Sequence, residues 1–266
     1  MKVTGILSIS NGTGLVYPFP LVVANLMNMC DNVIVGVDPE FPEDRKTLET
    51  LDAEPDGLQL VDAPWDRSNR NGGTEIAIQM DKLVALAKAQ GSDWVVVMQA
   101  DEMFHEDDFD MLRAFMERNL DSQVAGFSAE RVYYWKDLNT IRKDWNARLV
   151  RIFKPGMYSF LAEGTSKDGM YSAPTAPCLE VDLPYKIHHY SRVDPNPDFI
   201  SRRVRNLDSF FHPPETLIPE ESLPEYDFVP RTHDNYSLNE TPGEVEGEFE
   251  KYSGNHPLGV KEWYAV

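Results

Sequence analysis

One segment constrains the fold of this chain more than any other. Residues 94–98 (Trp-Val-Val-Val-Met) are apolar at every position, with no alternation between apolar and polar side chains. Successive side chains of a strand point to opposite faces of the sheet, so a strand here needs cover on both faces. We therefore predict a central strand with helices packed on both sides of its sheet, which is typical of α/β proteins.

The segments that precede this strand alternate between strand and helix patterns. Strand-like apolar runs occupy 3–9, 33–37 and 58–61, and helical patterns occupy 18–29, 42–51 and 74–90. Thr74 is predicted to cap the third helix and Gly91 to end it. The alternation predicts right-handed crossovers and a mostly parallel central sheet flanked by helices. Ligands in such sheets bind beyond the carboxyl ends of the strands.

The second half of the chain has a different pattern. Residues 124–135, 148–153 and 183–190 are predicted to be strands, with few helical signals between them. Beyond residue 211 the sequence is dense in proline and acidic residues. We predict one α/β domain over 1–212, strand-rich in its second half, and an extended C-terminal tail over 213–266.

Composition excludes some classes of function. The formal net charge of −19 disfavours extensive binding to nucleic acid, whose phosphates such a surface repels. No apolar run is long enough to span a bilayer, and the first residues do not form a leader pattern, so we expect a cytoplasmic protein. Cys30 and Cys178 are expected to be free thiols, since they have no metal-binding or redox spacing.

Polar residues that follow three of the predicted strands should lie at one rim of the sheet. Ser10 and Asn11 follow the first strand, Asp38 the second, and Gln99 and Asp101 the central strand. If strand alternation continues, Gln99 and Asp101 project to the same side. A carboxylate at this rim, beside space for a diphosphate, suits Mg²⁺ or Mn²⁺. The alternative is an exposed acidic turn before a helix capped by an aspartate at position 107 or 108.

Residues 93–102 (Asp-Trp-Val-Val-Val-Met-Gln-Ala-Asp-Glu) resemble a segment of family 2 glycosyltransferases. In that family a hydrophobic strand ends in Asp-x-Asp, often followed by Glu. The resemblance implies a nucleotide-diphospho-sugar transferase fold of the GT-A type and a nucleoside-diphosphate sugar as donor. It extends diffusely from the first strand to His189 and Tyr190. Gln99 replaces the first acid of the motif, so the site would carry one negative charge fewer.

The resemblance implies roles for further residues. Asp38 would lie near the nucleoside, Arg70 in the Asn-Arg-Asn-Gly stretch would neutralise part of the diphosphate, and His189 would join Asp101 as a metal ligand. Each residue also has a structural interpretation: a turn cap for Asp38, a surface position for Arg70 and a strand hydrogen bond for His189. A transferase that inverts the anomeric centre also needs a carboxylate to take the proton of the acceptor hydroxyl.

Glu163 is our prediction for this base. It lies where similar enzymes carry a His-Glu pair, although position 162 is alanine here. Asp144 is the reserve, and the alternative for Glu163 is a loop glutamate in solvent. Arg148 and Arg151 alternate on a predicted strand and either bind phosphate or pair with acids, of which we favour the second.

We therefore predict a hexosyltransferase-like glycosyltransferase, metal-assisted through Mn²⁺ or Mg²⁺, that transfers a sugar with inversion to an unidentified hydroxyl acceptor. One alternative is a sugar nucleotidyltransferase on a related fold, which normally has a basic, glycine-rich loop after the first strand. Residues 11–14 contain two glycines but no Lys or Arg. The other alternative is a non-catalytic carbohydrate-binding protein that retains the fold. Gln99 keeps this alternative open, because it replaces the first acid of the motif.

Overall fold

The computed structural model describes residues 1–51, 57–69, 73–145, 147–163, 165, 169, 171–193, 196, 202–203, 206 and 248–265. The helices are α1 (Phe19–Met29), α2 (Pro42–Glu49), α3 (Thr74–Ala89), α4 (Phe109–Arg118) and α5 (Val260–Trp263). The strands of the first half are β1 (Val3–Ile9), β2 (Asn32–Val37), β3 (Leu58–Asp62), β4 (Trp94–Val97) and β5 (Glu102–Phe104). Those that follow are β6 (Val124–Lys136), β7 (Thr140–Arg142), β8 (Arg148–Phe153), β9 (Tyr158–Ser159), β10 (Ala173–Pro174), β11 (Leu179–Val193) and β12 (Phe249–Lys251).

The described strands form one large sheet and a separate two-stranded sheet of β9 and β10. The sheet has ten strands in the order β12-β7-β6-β8-β4-β1-β2-β3, with β11 paired to β6 and β5. Strands β3, β2, β1 and β4 run parallel to one another, and β11 is parallel to β6. The remaining pairs in the sheet are antiparallel. The predicted α/β class is confirmed, with a central sheet flanked by helices and a strand-rich second half.

Two hydrophobic clusters cover the two faces of the parallel strands. Ile34 and Val97 pack with the apolar face of α3 in one cluster. Val35 and Val96, their neighbours in sequence, pack with α1 and α4 in the other. Consecutive side chains of a strand thus contact opposite layers, which explains why the central strand has no polar position.

Helix boundaries differ from the sequence prediction in two places. Gly91 has φ +78° just beyond α3, as expected for a helix stop. Thr74, however, is the first residue of α3, and Gly73 with φ 77° occupies the cap position. Glycine adopts this left-handed conformation without the steric cost that a threonine would meet, so the chain turns at Gly73. Asp108 precedes α4 but its side chain makes no capping hydrogen bond, since a 3-10 turn leads into the helix.

The central strand is shorter than the apolar run that predicted it. β4 ends at Val97, and the next residues form a turn closed by a 3.2 Å hydrogen bond from Glu102 N–H to Gln99 O. The expectation that Gln99 and Asp101 share one face of a strand is therefore wrong, because both lie in this turn. The chain then enters β5, which pairs antiparallel with β11, and the register sets His189 opposite Glu102.

Residues 248–265 of the predicted tail pack on the domain. β12 pairs with β7 at the edge of the sheet, and Val260 of α5 is buried in the core. Residues 207–247 lie outside the described part of the chain, and the division at residue 212 stays a prediction. Cys30 and Cys178 are both free thiols, as expected. No described helix combines the length and apolar character that crossing a bilayer requires.

Candidate functional site

The carboxyl ends of β1 and β2 carry a hydrogen-bonded cluster. Ser10 donates its Oγ proton to Asp38 Oδ2 at 2.6 Å, and the Asp38 N–H bonds Ile9 O at 3.0 Å. Arg67, which follows β3, donates to Ser10 Oγ and lies 3.4 Å from Asp38 Oδ2. We call Ser10, Asp38 and Arg67 the β1–β2 cluster. It brings together two predicted nucleotide contacts and adds an arginine that the sequence analysis did not identify.

The loop after β1 is fixed by a buried carboxylate. Asp44 of α2 accepts hydrogen bonds from the N–H groups of Gly12 at 2.8 Å and Thr13 at 2.7 Å. Asn11, a predicted nucleotide contact, has φ 60° at the start of this loop and accepts a 3.0 Å bond from Leu15 N–H through its carbonyl. The loop amides that could have faced a phosphate are therefore occupied by Asp44.

Asp101 lies at the carboxyl end of β4, next to His189 of β11. Its carboxylate Oδ1 is 3.7 Å from His189 Nδ1, and both side chains are buried. The Tyr190 N–H donates to Asp101 O at 2.9 Å, which fixes the turn against β11. Two residues predicted to share a site, separated by more than eighty positions in sequence, are thus adjacent.

Glu102 completes this region through a buried ion pair. Its two oxygens accept from Arg151 Nε at 2.8 Å and Nη2 at 3.0 Å, and Oε1 lies 3.4 Å from His189 Nδ1. Burial alone would raise the pKa of Glu102, but the Arg151 guanidinium and the nearby imidazole outweigh it and hold that pKa well below its usual range. Arg151 therefore pairs with an acid, as favoured above, and so does Arg148 with Asp182.

His189 has one nitrogen engaged and one that faces carboxylates. Its Nε2 lies 2.9 Å from Ser191 Oγ, which in turn is 2.7 Å from the Tyr133 hydroxyl. Its Nδ1 is buried and has no hydrogen-bond partner in the part of the chain that the structure describes. If Nε2 carries the proton, the Nδ1 lone pair faces Asp101 and Glu102, an arrangement that a bound cation would stabilise.

Burial and charge act against each other at Asp101. Burial raises the pKa of its carboxyl group, while His189, Arg203 and Arg131 oppose that rise and Glu102 adds to it. The environment is therefore apolar enough to penalise the carboxylate, but contains cationic groups close by. Neither arginine was singled out from the sequence. Arg131 directly follows Glu130 in β6, and nothing in that local sequence marks it as a site residue.

The other predicted site residues lie in different surroundings. Asp144 accepts from Arg142 Nε and Nη2, each at 3.2 Å, and from the Glu248 N–H at 3.3 Å. Glu163 is exposed in the turn that follows β9. Among the described residues no hydrogen bond or ion pair joins either of them to Asp101. The Gln99 N–H lies 3.3 Å from Glu102 Oε2, and Arg70 falls outside the described residues.

The donor set near Asp101 is compatible with a divalent cation that also binds phosphate. In the described ranges no group of three or more His, Cys, Asp or Glu side chains is arranged to hold a metal ion alone. Mg²⁺ in nucleotide sites, however, usually binds only one or two protein groups, with phosphate oxygens and water completing the shell. Asp101 supplies one such carboxylate, and Nδ1 of His189 lies 3.7 Å from its Oδ1.

No protein-family model and no curated protein matches this sequence. Solved structures with a similar arrangement include residues 1–349 of TarS from S. aureus, with 11% identity and a TM-score of 0.43. That match covers 79% of this chain and 65% of the TarS chain. HddC from Yersinia pseudotuberculosis has 12% identity and a TM-score of 0.42 over 78% of this chain and 98% of that one. The 4-diphosphocytidyl-2C-methyl-D-erythritol synthase from Anaerococcus prevotii has 11% identity and a TM-score of 0.38. That match covers 58% of this chain and 71% of the synthase chain.

Proposed function

We propose that this protein is a glycosyltransferase that uses a nucleoside-diphosphate sugar and a divalent cation. The observation that carries the proposal is the buried carboxylate of Asp101, 3.7 Å from the buried Nδ1 of His189 at the rim of the sheet. An acidic turn that merely capped a helix would hold its carboxylate in water. A buried carboxylate with a raised pKa, facing an imidazole, is instead typical of functional sites.

The nucleoside would bind at the neighbouring strand ends, with the diphosphate towards Asp101. In the β1–β2 cluster, Asp38 offers carboxylate oxygens to ribose hydroxyls or the base, and Arg67 adds a positive charge. Asn11 and Arg70 would contribute from the adjoining loops, and the Gln99 amide from the turn after β4. Asp101 and His189 would hold Mn²⁺ or Mg²⁺, which when bound neutralises charge on the leaving diphosphate.

Glu163 would take the proton from the acceptor hydroxyl and give an inverted product. Glu163 is exposed in the turn after β9, where an incoming alcohol can reach its carboxylate. Asp144 remains the reserve, but its oxygens are engaged by Arg142 and by the backbone of Glu248, which makes it the weaker candidate.

The loop after β1 favours a transferase over a nucleotidyltransferase. A nucleotidyltransferase needs free backbone N–H groups and basic side chains in this loop to bind a triphosphate. Here the N–H groups of Gly12 and Thr13 already donate to Asp44, and a second set of negative charges would be repelled by that carboxylate. The third alternative, a non-catalytic carbohydrate-binding protein, is distinguished from both enzymes because it would bind its ligand without turnover.

Thermal melting of the full chain with a panel of UDP, GDP and dTDP sugars, with and without Mn²⁺, tests the proposal. One nucleotide class should raise the melting temperature, and more so with Mn²⁺, because a ligand that binds only the native state stabilises it. We expect Asp101→Asn to lose the increment due to Mn²⁺ and Asp38→Asn to lose most of the nucleotide effect.

The matched control is Glu43→Gln, which changes an exposed carboxylate on α2 that pairs with Lys46. It should leave both effects intact. The proposal fails if no nucleotide sugar stabilises the wild-type protein, or if Asp101→Asn keeps the full increment due to Mn²⁺.

A further inference from the structure

A cavity of about 330 Å³ lies between three parts of the chain that are distant in sequence. Its walls are the turn at 105–108, residues 184–188 of β11 and residues 252–255 near the end of the chain. We call it the C-terminal cavity. Its volume falls at the lower end of the range of about 300–1,000 Å³ that is typical of small-molecule sites. None of the residues assigned above to the donor site lines it.

The C-terminal cavity lies on the opposite side of β11 from Asp101. His188 and His189 are consecutive in β11, so their side chains project to opposite faces of the sheet. The His188 ring lines the cavity and stacks on Tyr134 with 5.9 Å between ring centroids. The His189 ring, beside Asp101, instead lies 4.7 Å from the ring of Tyr133. The cavity is therefore separate from the rim that carries Asp101.

Hydrogen bonds hold the walls of the cavity in place. The Leu258 N–H donates to Glu106 Oε2 at 3.2 Å, which ties the end of the chain to the turn at 105–108. The Tyr252 N–H donates to Asn139 O at 2.6 Å, and its hydroxyl donates to Asn255 O at 2.8 Å. A site with walls fixed in this way loses little conformational freedom when a ligand binds.

One lining residue has a hydrogen bond left to make. His105 Nδ1 accepts from the Asp107 N–H at 3.2 Å, so the proton of the neutral ring is on Nε2. That Nε2 is buried and has no hydrogen-bond partner among the residues that the structure describes. Buried polar groups are nearly always hydrogen-bonded in native proteins, and an exception calls for an explanation. A ligand oxygen in the cavity would supply the acceptor.

The charges around the cavity do not favour an anion. Lys186 is the cation of the lining, and Asp107 and Asp108 are its acids. Burial lowers the pKa of His188 to about 3, so this imidazole is neutral at pH 7. Two carboxylates beside one ammonium group would repel a phosphate. The lining therefore suits a neutral ligand that can both donate and accept hydrogen bonds.

We propose that the C-terminal cavity binds one unit of a neutral carbohydrate. Each sugar hydroxyl both donates and accepts, which matches walls that offer carboxylate oxygens beside the donors of His105, Lys186 and Asn255. The rings of Tyr185 and Tyr252 add an apolar surface for the C–H groups of a sugar ring. This inference goes beyond the proposed function, because it adds a second ligand site that does not depend on the donor site.

Saturation-transfer NMR of the full chain with glucose, galactose, N-acetylglucosamine, maltose and cellobiose tests this inference. At least one of these sugars should bind, with a Kd on the order of millimolar, as expected for a few hydrogen bonds in a small site. Lys186→Met and Asn255→Ala change exposed side chains, so both variants should fold. Each should raise the Kd about fivefold, which corresponds to the loss of one hydrogen bond.

The control is Lys46→Met, which removes the same charge from an exposed position on α2 and should leave the Kd unaltered. An excess of UDP, GDP or dTDP should not displace the sugar. The inference is overturned if no sugar binds, if inorganic phosphate binds more tightly than every sugar, or if a nucleotide displaces the sugar. It is also overturned if Lys186→Met and Asn255→Ala bind as Lys46→Met does. Sugar binding that persists in a protein that binds no nucleotide would reject the proposed function and keep this site.

Discussion

The strands before the Asp101 turn and those after it bury different chemistry. In β1 to β4 the buried side chains are almost all hydrocarbon, packed between α3 on one face and α1 and α4 on the other. In the strands from β5 onward, charged side chains such as Glu102 and Arg151 are buried as deeply as the apolar ones. The first region owes its stability to apolar area removed from water, and the second depends on matched charges.

This difference shows why the candidate site lies where the two regions meet. A region of apolar, parallel strands provides a rigid rim but few reactive groups. Burying polar groups without such a region would cost much free energy. Asp101 follows the last parallel strand and is completed by His189 from the polar region. We therefore expect substitutions in the two regions to differ in the size, the pH dependence and even the sign of their effects on stability.

The largest expected effect is the loss of the buried ion pair. Glu102→Gln removes the negative charge from the buried pair with Arg151, and breaking such a pair typically costs about 3–5 kcal/mol of unfolding free energy. Ile34→Val removes one methyl group from the apolar region and should cost about 0.5–1.5 kcal/mol. Urea unfolding of both variants measures the contrast.

The double variant Glu102→Gln, Arg151→Met sharpens this test. Removing both charges should recover part of the loss, because no uncompensated charge remains buried. A Glu102→Gln cost no greater than that of Ile34→Val would show that the polar region is not held by matched charges.

A smaller effect should appear on acidification. His188 of β11 lies 2.8 Å from the Tyr134 hydroxyl through Nδ1, and burial lowers its pKa to about 3. The unfolded chain takes up this proton near pH 6.5 and the folded chain only near pH 3, so stability is lost as pH falls between those values. At pH 4.5 we expect His188 to cost about 2–3 kcal/mol relative to pH 7.

Comparison of His188→Gln with the wild-type protein isolates this contribution. His256, whose pKa burial lowers to about 4, titrates in both proteins and cancels in the difference. The variant should lose less stability between pH 7 and pH 4.5 than the wild type. Parallel losses in the two proteins would mean that His188 is not buried as a neutral group.

The smallest expected effect has the opposite sign. Burial raises the pKa of Asp101, so its ionised form opposes folding, and this penalty grows as pH rises through the raised pKa. Without ligand, Asp101→Asn should raise the melting temperature by a few degrees.

Asp81→Asn is the matched control for that change. The Asp81 carboxylate accepts from the N–H of Phe160 at 2.8 Å and from Ser159 Oγ at 2.5 Å, so its replacement should lower the melting temperature. If Asp101→Asn destabilises the protein as much as Asp81→Asn does, Asp101 is a structural carboxylate and not one held at a cost for function.

The sequence predicted the apolar region well because its signals are local. An unbroken apolar run identified β4, and the helical spacing of 74–90 identified α3 to within a residue at each end. The two errors in this region concern positions where the chain turns. Gly73 takes the cap position from Thr74 because of its positive φ, and β4 stops at Val97 because the turn bonds Glu102 to Gln99.

The candidate site was predictable only in part, because it depends on pairing between distant strands. Asp101 and His189 were linked through a resemblance in sequence, and the structure places them side by side. The sequence analysis did not identify Glu102, Arg67 or Arg131 as site residues. The local sequence around each of them does not indicate which residues it contacts. Arg151 meets Glu102 only through the sheet, 49 positions apart, and the register of β11 sets His189 opposite Glu102.

The most direct test of the central claim is release of sugar from the nucleotide sugar that stabilises the protein best, measured with Mn²⁺ in the wild type and in Asp101→Ala. Glu43→Gln, which changes an exposed carboxylate on α2, serves as the control for a changed carboxylate elsewhere in the chain. The account predicts turnover that falls at least about a hundredfold in Asp101→Ala and persists in the folded control. If Asp101→Ala leaves turnover unaltered, the rim formed by Asp101 and His189 takes no part in the reaction.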